Sequence, residues 1–300
     1  MNFIDQLIEA EQLPAHFRSV VENFYTPLAR DIAGLANKPG KPLIVGINGA
    51  QGTGKSTLAK FVVAILENTL GKKTAHFSID DIYLTKAERN ALGSKIHPLL
   101  ATRGVPGTHD MTLGKSIING LANASKETIT RIPVFDKAID DRLPEAQWRP
   151  FQGRPDIIIV EGWCVGSTAQ AGSELIEPVN ALERNEDALG SWRRYVNCKL
   201  AGEYQKFFDC IDLLVFIAAP CWEVILEWRQ LQEEKLRLVR SDSGAAAAGI
   251  MSPDEVRAFI QHYERITRHN LATLPEKAHF QLNMDRDHQL VSVVQRKAKA

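Results

Sequence analysis

The chain has 300 residues in which 36 Lys plus Arg are balanced by 36 Asp plus Glu. That length builds one large domain or two modest ones, and the even charge gives no electrostatic reason to expect a nucleic acid or an anionic membrane as the main partner, which leaves a small molecule. Cys164, Cys198, Cys210 and Cys221 have neither CxxC spacing nor His partners at ligand intervals, so they read as reduced thiols rather than a zinc site or a disulfide framework.

The first residues are acidic, without the basic start and unbroken apolar stretch of a secretory signal, and no later run is long enough to span a bilayer; a cytoplasmic protein is the expectation. Phe3, Leu7 and Ile8, then Phe17, Val20, Val21, Phe24 and Leu28, recur at helical spacing and predict an N-terminal helical extension over residues 1–40. Asn37-Lys38-Pro39-Gly40-Lys41-Pro42 breaks that pattern. Leu43-Ile44-Val45-Gly46-Ile47 follows as a branched apolar run, the form of a strand buried on both faces of a parallel sheet and ending at Asn48. After a Gly-rich turn, Leu58, Phe61, Val62, Ile65 and Leu66 line one face of a helix that Gly71 stops.

Two further strands are predicted with acids at their carboxyl ends, residues 74–79 before Asp80-Asp81 and residues 157–160 before Glu161. In a parallel α/β sheet those ends open onto one crevice. Residues 213–218 and 278–282 read as later strands, and helices between them complete an alternating α/β order. Residues of about 166–195 are polar and weakly periodic, an inserted helical segment. Residues 222–240 form a long helix, Ser241 to Gly249 a loop with little to bury, and Ser252-Pro253-Asp254-Glu255 a capped helix start. Residues 41–300 are therefore one domain, with an insertion at about 166–195 and a lid at about 222–250.

Gly49-Ala50-Gln51-Gly52-Thr53-Gly54-Lys55-Ser56 fits G-x-x-x-x-G-K-[ST] and lies between strand and helix, with Thr57 next. There the motif has physical meaning. Its glycines let backbone N–H groups turn toward phosphates, and the helix adds its positive end. Lys55 can reach the β- and γ-phosphates of ATP, and the Ser56 hydroxyl can ligate Mg2+. A chance glycine turn is the bland alternative, and the matching flanks argue against it. Phosphoryl transfer to a hydroxyl needs one carboxylate near the acceptor and a second near the metal. Asp80 and Glu161 can supply the two roles. The bland alternative is that Asp81, or less readily Asp80, merely caps a helix starting near Thr85; Gly162 would let the backbone approach the metal site closely.

The motif, with Ser78 to Thr85, Arg103-Gly104-Val105-Pro106-Gly107-Thr108-His109-Asp110, Pro133 to Lys137 and Glu161-Gly162-Trp163, resembles the D-glycerate 3-kinase family, a neighbour of uridine kinase, phosphoribulokinase and pantothenate kinase. The resemblance covers most of the chain from about residue 43. It implies a P-loop NTPase fold with a mostly parallel sheet flanked by helices, a helical lid and an inserted helical segment, acting as an ATP- and Mg2+-dependent kinase of a small hydroxyl acceptor such as D-glycerate. It also implies that Asp80 is the catalytic base, that Glu161 organises Mg2+ with Ser56, and that Tyr83, Arg103, His109 and Lys137 face the acceptor beside Asp80. Arg and Lys suit a carboxylate. In related kinases a lid delivers arginine to the phosphates, which here points to Arg229 in the matched Trp228-Arg229 segment, with Arg237 eight residues on.

The chain departs from the family at Phe135-Asp136-Lys137-Ala138-Ile139-Asp140-Asp141-Arg142, where the family often has Tyr-Asp-Lys-Ser and then a Gly-rich stretch before Asp-Arg. A uridine- or pantothenate-type kinase is the alternative within the enzyme class. A non-catalytic ATP-binding regulator is the alternative outside it. The turn from Asn283 to Arg286 is expected to flank the base, and His262 and His269 are read as surface residues.

Overall fold

The computed structural model describes residues 2–36, 40–242 and 252–296, without the side chains of residues 232, 233 and 235–242. In chain order the helices are α1 (Phe3–Ala10), α2 (Phe17–Val20), α3 (Thr26–Leu35), α4 (Lys55–Asn68), α5 (Lys86–Lys95), α6 (Met111–Ala122), α7 (Ala181–Glu186), α8 (Ser191–Lys199), α9 (Gln205–Phe208), α10 (Trp222–Asp242) and α11 (Pro253–Lys277). The strands are β1 (Leu43–Gly49), β2 (Thr74–Ser78), β3 (Ile129–Ile132), β4 (Phe135–Asp136), β5 (Asp141–Arg142), β6 (Arg149–Gln152), β7 (Ile157–Gly162), β8 (Leu213–Ala218), β9 (Phe280–Met284) and β10 (Leu290–Gln295).

Six strands form the central sheet in the order β10-β9-β8-β1-β7-β2. All neighbours run parallel except β9 and β10, which pair antiparallel at one edge. Alternate residues of each strand serve opposite faces. Leu213, Val215 and Ile217 of β8 join one core with Val45, Ile47, Ile157 and Ile159, whereas Leu214 and Phe216 join the other with Ile44, Ile158 and Val160. Two apolar faces on one strand require two covering layers, hence the unbroken apolar runs legible in the sequence.

The N-terminal helices share the first of these cores with α4. Phe17, Tyr25 and Phe61 meet with ring centroids 5.5 to 6.0 Å apart, so the N-terminal helices pack on α4. The insertion is more ordered than its polarity suggests. Arg265 and Glu183 form a buried bidentate ion pair, 2.7 and 2.6 Å, and Arg193 and Asp187 form a buried single-contact pair at 3.2 Å. From Ser191 one helical run continues to Phe208 through a π turn at Leu200–Tyr204.

Helix α10, on which the sequence predicts the lid, is anchored at its start: Trp222, Val224, Ile225 and Trp228 are buried with Ala50 and Ile260. Residues 243–250 of the expected lid loop and the side chain of Arg237 lie outside the described residues. No described helix is long and apolar enough to cross a membrane, and none of the four cysteines is in a disulfide. His262 is not a surface residue; its ring packs edge-on against Trp192 at 5.9 Å and its Nε2 is buried.

Candidate active site

The sheet order places three strand tips side by side. Ile47 of β1 and Ser78 of β2 both register with Glu161 of β7, so the phosphate loop after β1, the acid near the end of β7 and the Asp80 turn after β2 converge. The loop runs from Gly49, at the end of β1, into α4, which starts at Lys55. Gly52 and Gly54 have φ of +81° and +80°, a conformation that costs an L side chain and not glycine. A Cβ on Gly49 would lie 2.5 Å from the Thr53 hydroxyl oxygen, which itself donates to the Ala50 carbonyl at 2.8 Å. Gly52, Gly54, Lys55, Ser56 and Thr57 line a cleft of about 350 Å³ with Trp228 and His288. Of the loop expected from the sequence, Gly49 to Thr57, five residues line this cleft beside α10, whereas Ala50 and Thr53 are buried.

The Ser56 hydroxyl donates to Glu161 Oε1 at 2.8 Å. Glu161 is 3% exposed and its Oε2 is buried with no hydrogen-bond partner among the described residues. A buried carboxylate oxygen left unpartnered is costly, and a cation beside the hydroxyl would satisfy it. Mg2+ takes oxygen ligands, usually one or two from protein and the rest from phosphate and water, so Ser56 and Glu161 fit it. Gly162 is needed for a close approach on its other side. A Cβ there would meet Ile79 Cγ2 at 2.3 Å, so its lack of a side chain makes room for the turn that presents Asp80.

That turn, Ile79–Ile82, is a single 3₁₀ turn capped by Ser78, whose N–H donates to Asp81 Oδ2 at 2.9 Å. Asp81 is therefore the capping acid of its own turn; α5 is capped by Thr85 instead. Asp80 faces the site. Its Oδ1 accepts from the Tyr83 hydroxyl at 3.0 Å and its Oδ2 from Lys137 Nζ at 2.9 Å. Burial pushes the Asp80 carboxyl upward, but the charges of Lys137 and Lys55 overcome it and hold the pKa down to about 2. Burial also raises the Tyr83 phenol, so it stays a donor.

Loop 103–110 supplies the facing wall. Leu84 N–H donates to Thr108 O at 2.9 Å and Asp110 N–H to Ile82 O at 2.7 Å. Trp163, from the Glu-Gly-Trp element, donates to Gly104 O at 2.9 Å and packs edge-on against Tyr263. His109 stacks on Tyr83 at 4.3 Å. The Tyr204 hydroxyl accepts from Gly107 N–H at 2.9 Å and His109 N–H at 3.3 Å, so its own proton goes to His109 Nδ1 at 2.6 Å. That leaves the His109 proton on Nε2, which is buried with no partner among the described residues. Burial lowers the His109 pKa to about 3; the ring is a neutral donor. Arg103 lies over the Phe135 ring at 5.6 Å and pairs with Asp140.

Of the expected acceptor-side residues, Tyr83 and Lys137 bond Asp80 directly, His109 stacks on Tyr83, and Arg103 stands farther off, over the Phe135 ring that packs against Tyr83. Arg229 is half-buried on α10, where its backbone N would lie 3.9 Å from a Cβ on Gly52. Three contributors escaped the sequence reading. Asn48 is 1% exposed and donates to Val165 O at 2.7 Å, fixing the strand end just before the loop. His288 Nε2 donates to Gly52 O at 2.5 Å and its ring lies 4.5 Å from that of Trp228. The contact with the phosphate loop comes from His288, two residues beyond the Asn283 to Arg286 stretch expected to flank the base. Asp140 has no motif to announce it. Only its position just before Asp141-Arg142, where the family pattern calls for glycine, marks it.

No family model matches the chain. An uncharacterized kinase of Schizosaccharomyces pombe is 35% identical over 257 residues, spanning 80% of this chain and 85% of that one. The chloroplastic D-glycerate 3-kinase of Arabidopsis thaliana is 30% identical over 241 residues, which are 78% of this chain and 48% of that longer protein. A solved D-glycerate 3-kinase from Cryptococcus neoformans superposes with a TM-score of 0.74 over 94% of this chain and all of that one, at 23% identity, a likeness of fold.

Proposed function

Because the chain belongs to the P-loop kinase family that includes D-glycerate 3-kinase, we propose that it transfers the γ-phosphate of ATP to a hydroxyl of D-glycerate. The observation that carries this reading is Asp80, an ionised carboxylate with a pKa near 2, set on the strand tip facing the phosphate loop and ringed by Lys137, Tyr83 and the neutral donor His109. Such a group can orient an acceptor hydroxyl and take its proton as the new O–P bond forms and the bond to the leaving ADP breaks. Tyr83 holds one Asp80 oxygen throughout. Lys137 is 63% exposed and can yield the other oxygen to the acceptor.

Backbone N–H groups of the loop and Lys55 bind the β- and γ-phosphates, and Arg229 adds positive charge from the lid side. Ser56 and Glu161 would hold Mg2+, which when bound offsets phosphate charge and fixes the orientation of the phosphate oxygens. The acceptor end offers Arg103 and Lys137, groups suited to a carboxylate, and His109, suited to a neutral oxygen.

ADP release measured with D-glycerate, uridine, pantothenate and ribulose 5-phosphate tests the reading. Stimulation by D-glycerate above the others is expected. Stimulation by uridine or pantothenate alone would replace the acceptor, and turnover with none would favour a non-catalytic nucleotide-binding role.

A further inference from the structure

Asp140 occupies the turn between β4 and β5 with φ of +56°, a left-handed conformation that glycine adopts freely and that few other residues tolerate. The related family often places a Gly-rich stretch here. In this chain the side chain at that position bridges two arginines. Its Oδ1 accepts from Arg103 Nη1, its Oδ2 lies 3.0 Å from Arg89 Nη2, and its backbone carbonyl accepts from Arg89 at 2.6 Å. Arg89 is 1% exposed and also donates to the carbonyls of Leu84 at 3.3 Å and Ala101 at 2.9 Å. It is a fixed buried charge.

Both guanidinium groups lie against Phe135, 5.8 Å from the ring centroid for Arg89 and 5.6 Å for Arg103. Two like charges flanking one ring repel, and a carboxylate shared between them removes the repulsion. Phe135 packs edge-on against Tyr83 at 5.1 Å, and Tyr83 holds Asp80. Arg103 thus stands at the far end of an aromatic wall that starts at the proposed catalytic base. The same hairpin delivers Lys137 to Asp80. Consistent with the bridge, the Asp140 carboxyl is held below its usual range; burial opposes this, and hydrogen bonds from Arg103 and then Arg89 outweigh it.

We propose that Asp140 is a positioning residue that makes the site selective for acceptors carrying a carboxylate, by neutralising Arg89 and holding Arg103 through one nitrogen while the rest of that guanidinium binds the acceptor anion. The inference rests on the phosphoryl transfer proposed above and adds the chemical class of acceptor that the site prefers.

The test compares D-glycerate with its neutral amide in the wild type, Asp140→Asn, Asp140→Gly, Arg103→Ala and the Asp140→Gly/Arg103→Ala double variant. Wild type is expected to prefer the acid by about 100-fold in kcat/KM, the scale of one well-made charge pair. Asp140→Asn keeps the left-handed turn, and Asp140→Gly relaxes it, so melting curves on both separate folding from positioning. Each should raise the KM for D-glycerate about tenfold, leave the KM for ATP and the saturated kcat within about twofold, and erase most of the preference for acid over amide. In the Arg103→Ala background Asp140→Gly should change the acid KM by less than about twofold, because the two act as a unit. Retained acid preference in a folded Asp140→Asn, an equal rise in the KM for ATP, or additive losses in the double variant would overturn the proposal. A wild type that ignores D-glycerate but prefers another hydroxy acid to its amide would retire glycerate as substrate and leave the role of Asp140 standing. A wild type that prefers neutral acceptors would retire the role of Asp140 and leave the kinase, and turnover with no acceptor would retire both.

Discussion

Gly162→Ala should cripple phosphoryl transfer although Gly162 has no side chain to touch a ligand. The added Cβ would lie 2.3 Å from Ile79 Cγ2, 3.0 Å from Ile79 Cβ and 3.1 Å from Val165 Cγ2, where ordinary contact begins at 3.4 Å. Relief requires Ile79 to retreat by about 1 Å, a gap that a close-packed interior does not hold in reserve. Ile79 is fully buried and directly precedes Asp80, so the base moves with it. Overpacking of this kind costs about 1–3 kcal/mol of stability, and a displacement of about 1 Å at a reacting group costs about 100-fold in rate. The phosphate loop follows a different strand and touches β7 through the Ser56–Glu161 bond, while its other bonds run through Ala50, Thr53 and Gly52, so nucleotide affinity should fall less than kcat. Steady-state kcat, fluorescent-nucleotide titration and a melting curve read the three quantities separately. A variant with wild-type kcat and an unchanged melting temperature would show that the Asp80 turn is not coupled to β7 as argued.

Three further outcomes follow from the same geometry. Asp80 has a depressed pKa, so its contribution to stability is complete above the unfolded value of about 3.8 and is lost as pH falls through about 2; Lys137→Met raises that pKa and should move the acid limb of the kcat/KM profile to higher pH, a limb left in place counting against the Lys137–Asp80 pair. Glu161→Gln should weaken Mg2+ dependence by about 10- to 100-fold, read as the Mg2+ concentration for half-maximal rate; an unchanged requirement would remove Glu161 from the metal site. Glu183→Gln breaks the buried pair with Arg265, which is 8% exposed, and should cost about 3–5 kcal/mol in denaturant unfolding, whereas a loss below about 1 kcal/mol would mean that the insertion does not depend on that pair.

What could be read from the sequence was what periodicity and local backbone chemistry write into it. β1, the phosphate loop and α4 are contiguous, and a strand buried on both faces announces itself as Leu43 to Ile47. Glu161 was legible as an acid at a strand end, although β7 runs on to Gly162 and puts Glu161 within the sheet register. β2 stops at Ser78 rather than Ile79 because the Ser78–Asp81 capping box turns the chain there. β9 begins at Phe280 and runs to Met284, two residues later than expected at each end.

What escaped depends on contacts between residues far apart in the chain. β10 is an antiparallel edge strand with Val291 half-exposed, so its alternation is weak, and nothing local brings His288 to Gly52. The insertion reads only as polar and weakly periodic because the partner that buries Glu183 lies 82 residues away on α11. The purpose of Gly162 is invisible without Ile79 beside it. Asp140 reads as a loop acid until Arg89 and Arg103 are seen on either side.

The most direct measurement is ³¹P NMR of purified protein incubated with MgATP and D-glycerate, run for the wild type and for Asp80→Asn with nucleotide binding measured in parallel. The account predicts growth of a phosphomonoester resonance from phosphoglycerate in the wild type, and its loss by about 100- to 10,000-fold in rate with ATP still bound in the variant. Equal phosphoester formation by both proteins would contradict the assignment of Asp80 as base, and its absence from the wild type would contradict D-glycerate as acceptor.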